Sequence, residues 1–389
     1  MQPGGRLQRI GARPRVGNLS EGDGHASLRR VGSSKAQLAA VVFVVALVAL
    51  VALGAYVVTS TQKAVTVTTT QTSSSKASTT TQTSSQTSAE KPPPEVSTSS
   101  TSSSSSTTAP PPISHVIIIL MENEEYGKVI GSSSAPYENG LATRYALAAD
   151  YFGVAHPSLP NYLALVAGST FGVKSDCLPA QCTLPSNVTT IATLLDSRNL
   201  SWREYAESMP TNCSQSNSPD GLYFPKHNPF VYFGAITGNK GTGSTSSYCD
   251  SHVVSTDQLY LDLQAGKLPS FSFVTPNICD DAHSCPLSQG DQWLSTLVPK
   301  IINSSSFATT ALFIVYDEGS SNDTTGGGGQ VPAILVSPFA KTGYVSRGEY
   351  SHYSLLATVE AIFNLGSLGR NDSSASAMGD LFVKSAHIP

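Results

Sequence analysis

The stretch ALFIVYDEG, Ala311–Gly319, runs through six apolar or aromatic residues and ends in two carboxylates and a glycine. An unbroken apolar run of that length, closed by a turn residue, predicts a strand buried on both faces, as parallel sheets require. Three more runs read the same way: SHVIIIL (Ser114–Leu120), SFSFV (Ser270–Val274) and VPAILV (Val331–Val336). Helical periodicity fills the intervals at Asn161–Ala167, Val188–Arg198, Thr256–Gly266, Asp291–Ile302 and Ser351–Leu365. Buried strands alternating with helices predict an α/β fold with a mostly parallel central sheet covered on both sides.

In such sheets ligands bind beyond the carboxyl ends of the strands, so the residues that follow each run carry the functional reading. Glu122 and Asn123 follow the first run, Asn277, Asp280, Asp281 and His283 follow SFSFV, and Asp317 and Glu318 follow ALFIVY. A helix cap or a solvated loop accounts for any one of these clusters. All three together predict convergence on a divalent metal site, because hard oxygen donors and imidazole are its usual ligands. The block HPSLPNY, His156–Tyr162, supplies a complementary element. Ser158 stands between two prolines at the start of a helical pattern, where backbone N–H groups favour an anion such as phosphate. A serine hydroxyl is a weak nucleophile until a base or a metal activates it, and the acidic clusters would provide that activation. An N-cap serine after a proline turn is the bland reading of the same block.

Six blocks taken in order resemble the phosphoesterase family, the acid phosphatases and phospholipase C type enzymes of the alkaline phosphatase superfamily. They are MEN (Met121–Asn123), HPSLPNYLAL (His156–Leu165), PNICDDAHSC (Pro276–Cys285), FIVYDEG (Phe313–Gly319), VPAILVSP (Val331–Pro338) and SHYSLLATVEAIFNL (Ser351–Leu365). The resemblance implies a three-layer sandwich and a role for each matching residue. Glu122, Asn123, Asp317 and Glu318 match metal ligands, with Asp281 a further one. Ser158 matches the nucleophile, itself in contact with the metal and phosphorylated during turnover. Asn161 and His156 are implied to bind substrate, and His283 and His352 to line the site as second-metal ligands or as proton donors at the leaving group. One position departs from the pattern: Gln330 follows Gly326–Gly329 where phospholipase C-like branches carry a histidine, which tilts the reading toward phosphomonoesters.

Other chemistries lack their signals. No G-x-S-x-G elbow occurs, Tyr162 stands where a sulfatase motif needs arginine, and the tetraglycine is not followed by G-K-[ST]. The tetraglycine reads instead as a mobile loop near the metal cluster.

The formal charge of -4 over 389 residues averages dissimilar segments. Residues 1–35 carry seven basic and two acidic residues, a net +5, while residues 113–389 carry 13 basic and 23 acidic residues, a net -10. The basic excess is confined to a short tail, which excludes a nucleic-acid-binding face. Residues 36–62 hold no charge, and Ala39–Val58 is an apolar run of 20 residues. At about 1.5 Å rise per residue a helix of that length crosses a hydrocarbon layer of about 30 Å. The expected organisation is a cytoplasmic tail (1–35), a transmembrane signal-anchor (36–58), a Ser/Thr/Pro-rich stalk (59–112) and an extracellular catalytic domain (113–389), oriented by the positive charges before the span. The stalk has 32 Ser or Thr in the 52 positions of 59–110, a composition that cannot bury a core.

All six cysteines follow the stalk, and an even number in an exported domain predicts disulfides: Cys177 with Cys182, Cys279 with Cys285, and Cys213 with Cys249. Sequons at Asn187, Asn199, Asn212, Asn303, Asn322 and Asn371 suit an exported surface. The expected function is a membrane-anchored, metal-dependent phosphoesterase, an acid phosphatase hydrolysing phosphomonoesters through a phosphoserine intermediate. Its alternatives are a phospholipase C-type phosphodiesterase on lipid head groups and a noncatalytic cell-surface protein. Divalent metal ions are the implied cofactor, and a phosphate ester or phospholipid the implied partner.

Overall fold

Every residue of HVIIILM after His115 is buried, and the strand it forms, β1 (His115–Met121), lies between two parallel neighbours. The computed structural model that shows this describes residues 113–238, 246–320, 322–386 and 388. The tail, span and stalk expected at 1–35, 36–58 and 59–112 lie outside the described residues. Among the described residues no helix is long and apolar enough to cross a membrane.

The remaining strands are β2 (Ala146–Phe152), β3 (Trp202–Ala206), β4 (Val253–Ser255), β5 (Phe271–Thr275), β6 (Thr310–Tyr316), β7 (Gln330–Val336), β8 (Tyr344–Ser346) and β9 (Tyr350–Ser351). They form one sheet in the order β4-β3-β5-β1-β6-β7-β2-β8, with β9 also on β2. All pairings are parallel except those of β7, which runs antiparallel to both β6 and β2. The β6–β7 connection, residues 317–329, carries a single 3-10 turn and no crossover helix among its described residues, and the chain turns back beside β6.

Six helices of seven residues or more are described: α1 (Pro136–Arg144), α2 (Ser158–Ala167), α3 (Ile191–Ser197), α4 (Thr256–Ala265), α5 (Leu287–Ile302) and α6 (His352–Phe363). α2 packs on α6 and α1 on α5. All seven residues of β6 are buried, so both faces of the sheet are covered, as the continuous apolar runs require. Each fully buried aliphatic side chain in β1 and β6 contributes about 1.5–3 kcal/mol by leaving water. α1 shows how the layers are tied. Its N-cap position is Ala135, which has no capping side chain, and Asp291 of α5 accepts instead from the N–H groups of Tyr137 (3.1 Å) and Glu138 (2.8 Å).

The four strands expected from apolar runs are present within one residue at each end. The helix expected at Asn161 begins three residues earlier, so Ser158 occupies its first turn. β2 and β3 carry no unbroken apolar run: ALAADYF contains Asp150, and WREYA contains Arg203 and Glu204. Glu204 is nonetheless fully buried, accepting from Thr275 Oγ1 at 3.0 Å.

Candidate functional site

Sheet register alone brings the acidic clusters together. Met121 of β1 lies opposite Tyr316 of β6, and Ile119 opposite Val274 of β5, so Glu122, Asp317 and the loop after β5 leave the sheet side by side. Backbone bonds continue the alignment past the strand ends, with Asp317 N–H donating to Met121 O (2.9 Å) and Glu122 N–H to Asp281 O (2.9 Å). Asn123 joins through its backbone, in the left-handed region at φ 57°, where its N–H donates to Asp317 Oδ1 at 3.1 Å. Asparagine tolerates that conformation better than most residues.

Ser158 opens α2 beneath this group. Its hydroxyl stands 3.0 Å from Glu122 Oε2 and 3.2 Å from Glu318 Oε1, so either carboxylate can accept its proton. The other oxygen of Glu122 accepts a short hydrogen bond from Tyr162, and the other oxygen of Glu318 pairs with His156 Nδ1. His156 Nε2 lies 2.8 Å from Asp323 O, so both its nitrogens are engaged in orienting Glu318.

His227, which the sequence reading did not single out, sits at the centre of the cluster. It lies on a single 3-10 turn, Pro225–His227, and stacks on Tyr162 with ring centroids 5.4 Å apart. Nε2 is 3.2 Å from Glu122 Oε1, and Nδ1 is 3.1 Å from Asp281 Oδ2. Neither contact has hydrogen-bond alignment, because His227 Nε2, Asp281 Oδ2 and Asp317 Oδ2 are all buried without a hydrogen-bond partner. Glu122, His227 and His283 offer ligand atoms within 4.8 Å of one another.

Electrostatics describe the same deficit of positive charge. Burial, then the charges of Asp317 and Asp281, hold Glu122 well above the ordinary carboxylate range. Burial raises Asp281 and Asp317 as well, and burial followed by Asp317 raises Glu318. The imidazoles move the other way: burial lowers His227 well below its usual value, and burial with Lys226 lowers His283 to about 4. Neutral imidazole is the form that ligates a cation, and the crowding that raises the carboxyls is what a bound cation would relieve. A buried polar atom left unpaired costs about 1–3 kcal/mol, and a divalent ion held among Glu122, His227 and His283 would give an unpaired imidazole nitrogen a partner. The residues present therefore fit a metal.

Three expected roles find different geometry. Asn161 was expected on phosphate oxygens, but its Oδ1 accepts from the N–H groups of Val154 (2.8 Å) and Ala155 (3.0 Å), and its Nδ2 donates to Ala155 O (2.8 Å). It shapes the turn before Ser158. His352 was expected at the leaving group, but it is fully buried, with Nδ1 on Tyr151 Oη (3.0 Å) and Nε2 on Asp317 O (2.5 Å). Both nitrogens are occupied, so His352 braces the strand end that carries Asp317. His156 likewise acts on Glu318 where substrate contact was expected. His283 remains at the site, its Nε2 3.1 Å from Lys226 Nζ.

Two devices hold the site loops. Cysteines pair as expected, Cys177–Cys182, Cys213–Cys249 and Cys279–Cys285. The last closes a six-residue loop around Asp281 and His283. The tetraglycine, expected as a mobile loop, is instead packed: Gly328 N–H donates to Gly153 O (3.0 Å), and Gly153 and Gly319 N–H donate back to Gly329 O and Gly328 O. A Cβ on Gly328 would lie 2.6 Å from Ala155 O and 2.7 Å from Gly153 C, so only glycine permits this approach.

Known proteins match this chain across the region that builds the site. An acid phosphatase of Aspergillus fumigatus is 31% identical over 278 residues, covering 69% of this chain and 59% of its own length. A phosphatidylinositol-3-phosphatase of Mycobacterium tuberculosis is 32% identical over 250 residues, covering 64% of this chain and 76% of its own. The chain thus spans about three fifths of the length of the acid phosphatases it matches. Among solved structures, one from work on glycosaminoglycan metabolism in Bacteroides thetaiotaomicron aligns with a TM-score of 0.50 at 10% identity, over 70% of this chain and 82% of its own, a likeness of fold. The profile of the Phosphoesterase family matches residues 132–366, more than half of the chain, and includes Ser158, His227, Asp281, His283, Asp317 and Glu318: the chain belongs to the Phosphoesterase family.

Proposed function

We propose that the domain from residue 113 onward hydrolyses phosphomonoesters with the help of a divalent cation, using Ser158 as nucleophile. The observation that carries this reading is a buried serine hydroxyl placed between two carboxylates, beside three buried donor atoms that lack partners. Glu122, His227 and His283 would hold the cation, with Asp281, Asp317, Ser158 and Glu318 adjoining. Mixed oxygen and nitrogen donors favour a first-row transition metal over calcium or magnesium. When bound, the ion would neutralise the buried carboxylates and the developing charge on the phosphoryl group.

The chain's own residues perform the proton work. Glu318, oriented by His156, accepts the Ser158 proton as the hydroxyl oxygen attacks phosphorus and the ester oxygen leaves. The product of that step is a phosphoserine, which water hydrolyses to regenerate the hydroxyl. His283, lowered to about 4 by burial and Lys226, is neutral and belongs with the ligands, so the departing alkoxide takes its proton from water. Relatives named acid phosphatase align over 69% of the chain, whereas a non-hemolytic phospholipase C of Burkholderia pseudomallei aligns over 28%, which supports a monoesterase.

The proposed setting is the outer face of a membrane. The uncharged run at 36–62 after a basic tail, and three disulfides in the catalytic domain, support it. Release of phosphate from an aryl phosphomonoester by the full chain, with and without chelator, tests the activity. Ser158→Ala should abolish turnover while leaving bound metal measurable, and undiminished turnover in that variant removes Ser158 from the mechanism.

A further inference from the structure

Lys226 precedes His227 on the same turn and takes no part in the scheme above. Its ammonium lies 3.1 Å from Asp176 Oδ2 and 3.1 Å from His283 Nε2, with the side chain 16% exposed. Asp176 in turn accepts, through Oδ1, from the backbone N–H of Leu159 at 3.0 Å. Leu159 follows the nucleophile, so one carboxylate links the lysine to the backbone beside Ser158. Lysine is an ammonium at neutral pH. An ammonium has three donors, and two partners leave one for a further acceptor.

We propose that Lys226 binds a non-bridging oxygen of the substrate phosphoryl group, and that its charge selects phosphomonoester dianions over diester monoanions. This rests on the phosphoesterase reading above. A monoester carries its second charge above about pH 6, the second phosphate pKa, and a diester never does. A fixed cation beside the reacting group therefore stabilises the monoester more. Asp176 holds the ammonium toward Ser158 and competes with substrate for it, and Lys226 and Asp176 together set how tightly phosphate binds.

The test compares p-nitrophenyl phosphate with bis(p-nitrophenyl) phosphate as substrates for the metal-loaded full chain. For Lys226→Met, kcat/KM on the monoester should fall about 10- to 100-fold at pH 7.5, the worth of one charge-assisted hydrogen bond. The diester rate should change by less than about threefold, with bound metal unchanged. Lys226→Arg should recover part of the monoester rate, and the loss in Lys226→Met should shrink below pH 6. Equal losses on both esters, or none on the monoester, overturn the assignment. Asp176→Asn keeps an acceptor for Leu159 N–H and frees the ammonium, so inorganic phosphate should inhibit it several-fold more tightly than wild type; an unchanged inhibition constant also overturns the assignment. Wild type hydrolysing neither ester overturns the phosphoesterase reading and this proposal together, whereas an active wild type with an unaltered ester preference in Lys226→Met overturns the lysine proposal alone.

Discussion

Glu138 offers a stability test that is separate from the chemistry. It lies in the first turn of α1 with no exposed surface, Oε1 accepting from Tyr316 Oη at 2.9 Å and Oε2 without a partner. Burial pushes its carboxyl from 4.5 up to about 8. Between those values the folded protein keeps a proton that the unfolded chain releases, so the folded state binds more protons and stability falls as pH rises. The slope is about 1.4 kcal/mol per pH unit, which amounts to about 3 kcal/mol between pH 5 and pH 7.5. Glu138→Gln has no such proton. Whatever fixed packing difference the amide introduces, the stability of the variant relative to wild type should swing by about 3 kcal/mol in its favour across that interval. Urea unfolding of both proteins at the two pH values, in chelator throughout, measures the swing. A relative stability flat to within about 1 kcal/mol across the interval would refute the claim that Glu138 is protonated in the fold.

Three further outcomes follow from the site. His227→Ala should lower divalent-metal affinity by at least about tenfold, read by competition with a chromogenic chelator, because the imidazole is central among the unpaired donors. Cys279→Ser with Cys285→Ser should cost about 2 kcal/mol from the six-residue loop closure and should weaken metal binding through Asp281 and His283. The corresponding change at Cys177 and Cys182 should leave metal content intact. Gly328→Ala should destabilise by about 1–3 kcal/mol, since its Cβ meets backbone at 2.6 Å, and should reduce turnover more than metal content by displacing the Gly153–Ala155 turn.

Legibility in the sequence followed burial. β1, β5, β6 and β7 are buried along almost their whole length, and their apolar runs located them together with the carboxylates just past β1, β5 and β6. β2 carries the half-buried Asp150, and β3 buries Glu204 with one oxygen on Thr275, a contact that cannot be seen without the partner. His227 was hidden for a related reason. It follows no strand, so a search of strand ends passes it by, and the flanking prolines of FPKHNP mark a constrained turn without saying that it faces Glu122. Asn161 and His352 illustrate the converse. Their residue types suited substrate contact, yet their hydrogen bonds go to the backbone of Ala155 and Asp317, the scaffold of Ser158 and of the acidic strand end.

The single antiparallel strand explains why this scaffold works. β7 runs against β6, so its beginning, with the tetraglycine before it, returns to the end of the sheet where Asp317 and Glu318 emerge. A parallel strand would have delivered its carboxyl end there after a long crossover. The returning glycines close backbone to backbone on Gly153 and Gly319, which fixes the turn that leads into His156 and Ser158. His156 then orients Glu318, and Ser158 meets both Glu318 and Glu122. The proposed nucleophile, base and metal ligands thus come from the ends of β1, β5 and β6, the start of α2 and the turn that carries His227, and a loop that contributes no chemistry ties β7 to the approach to Ser158. A glycine without a functional group, Gly328, is accordingly as constrained in this fold as the serine it helps to place.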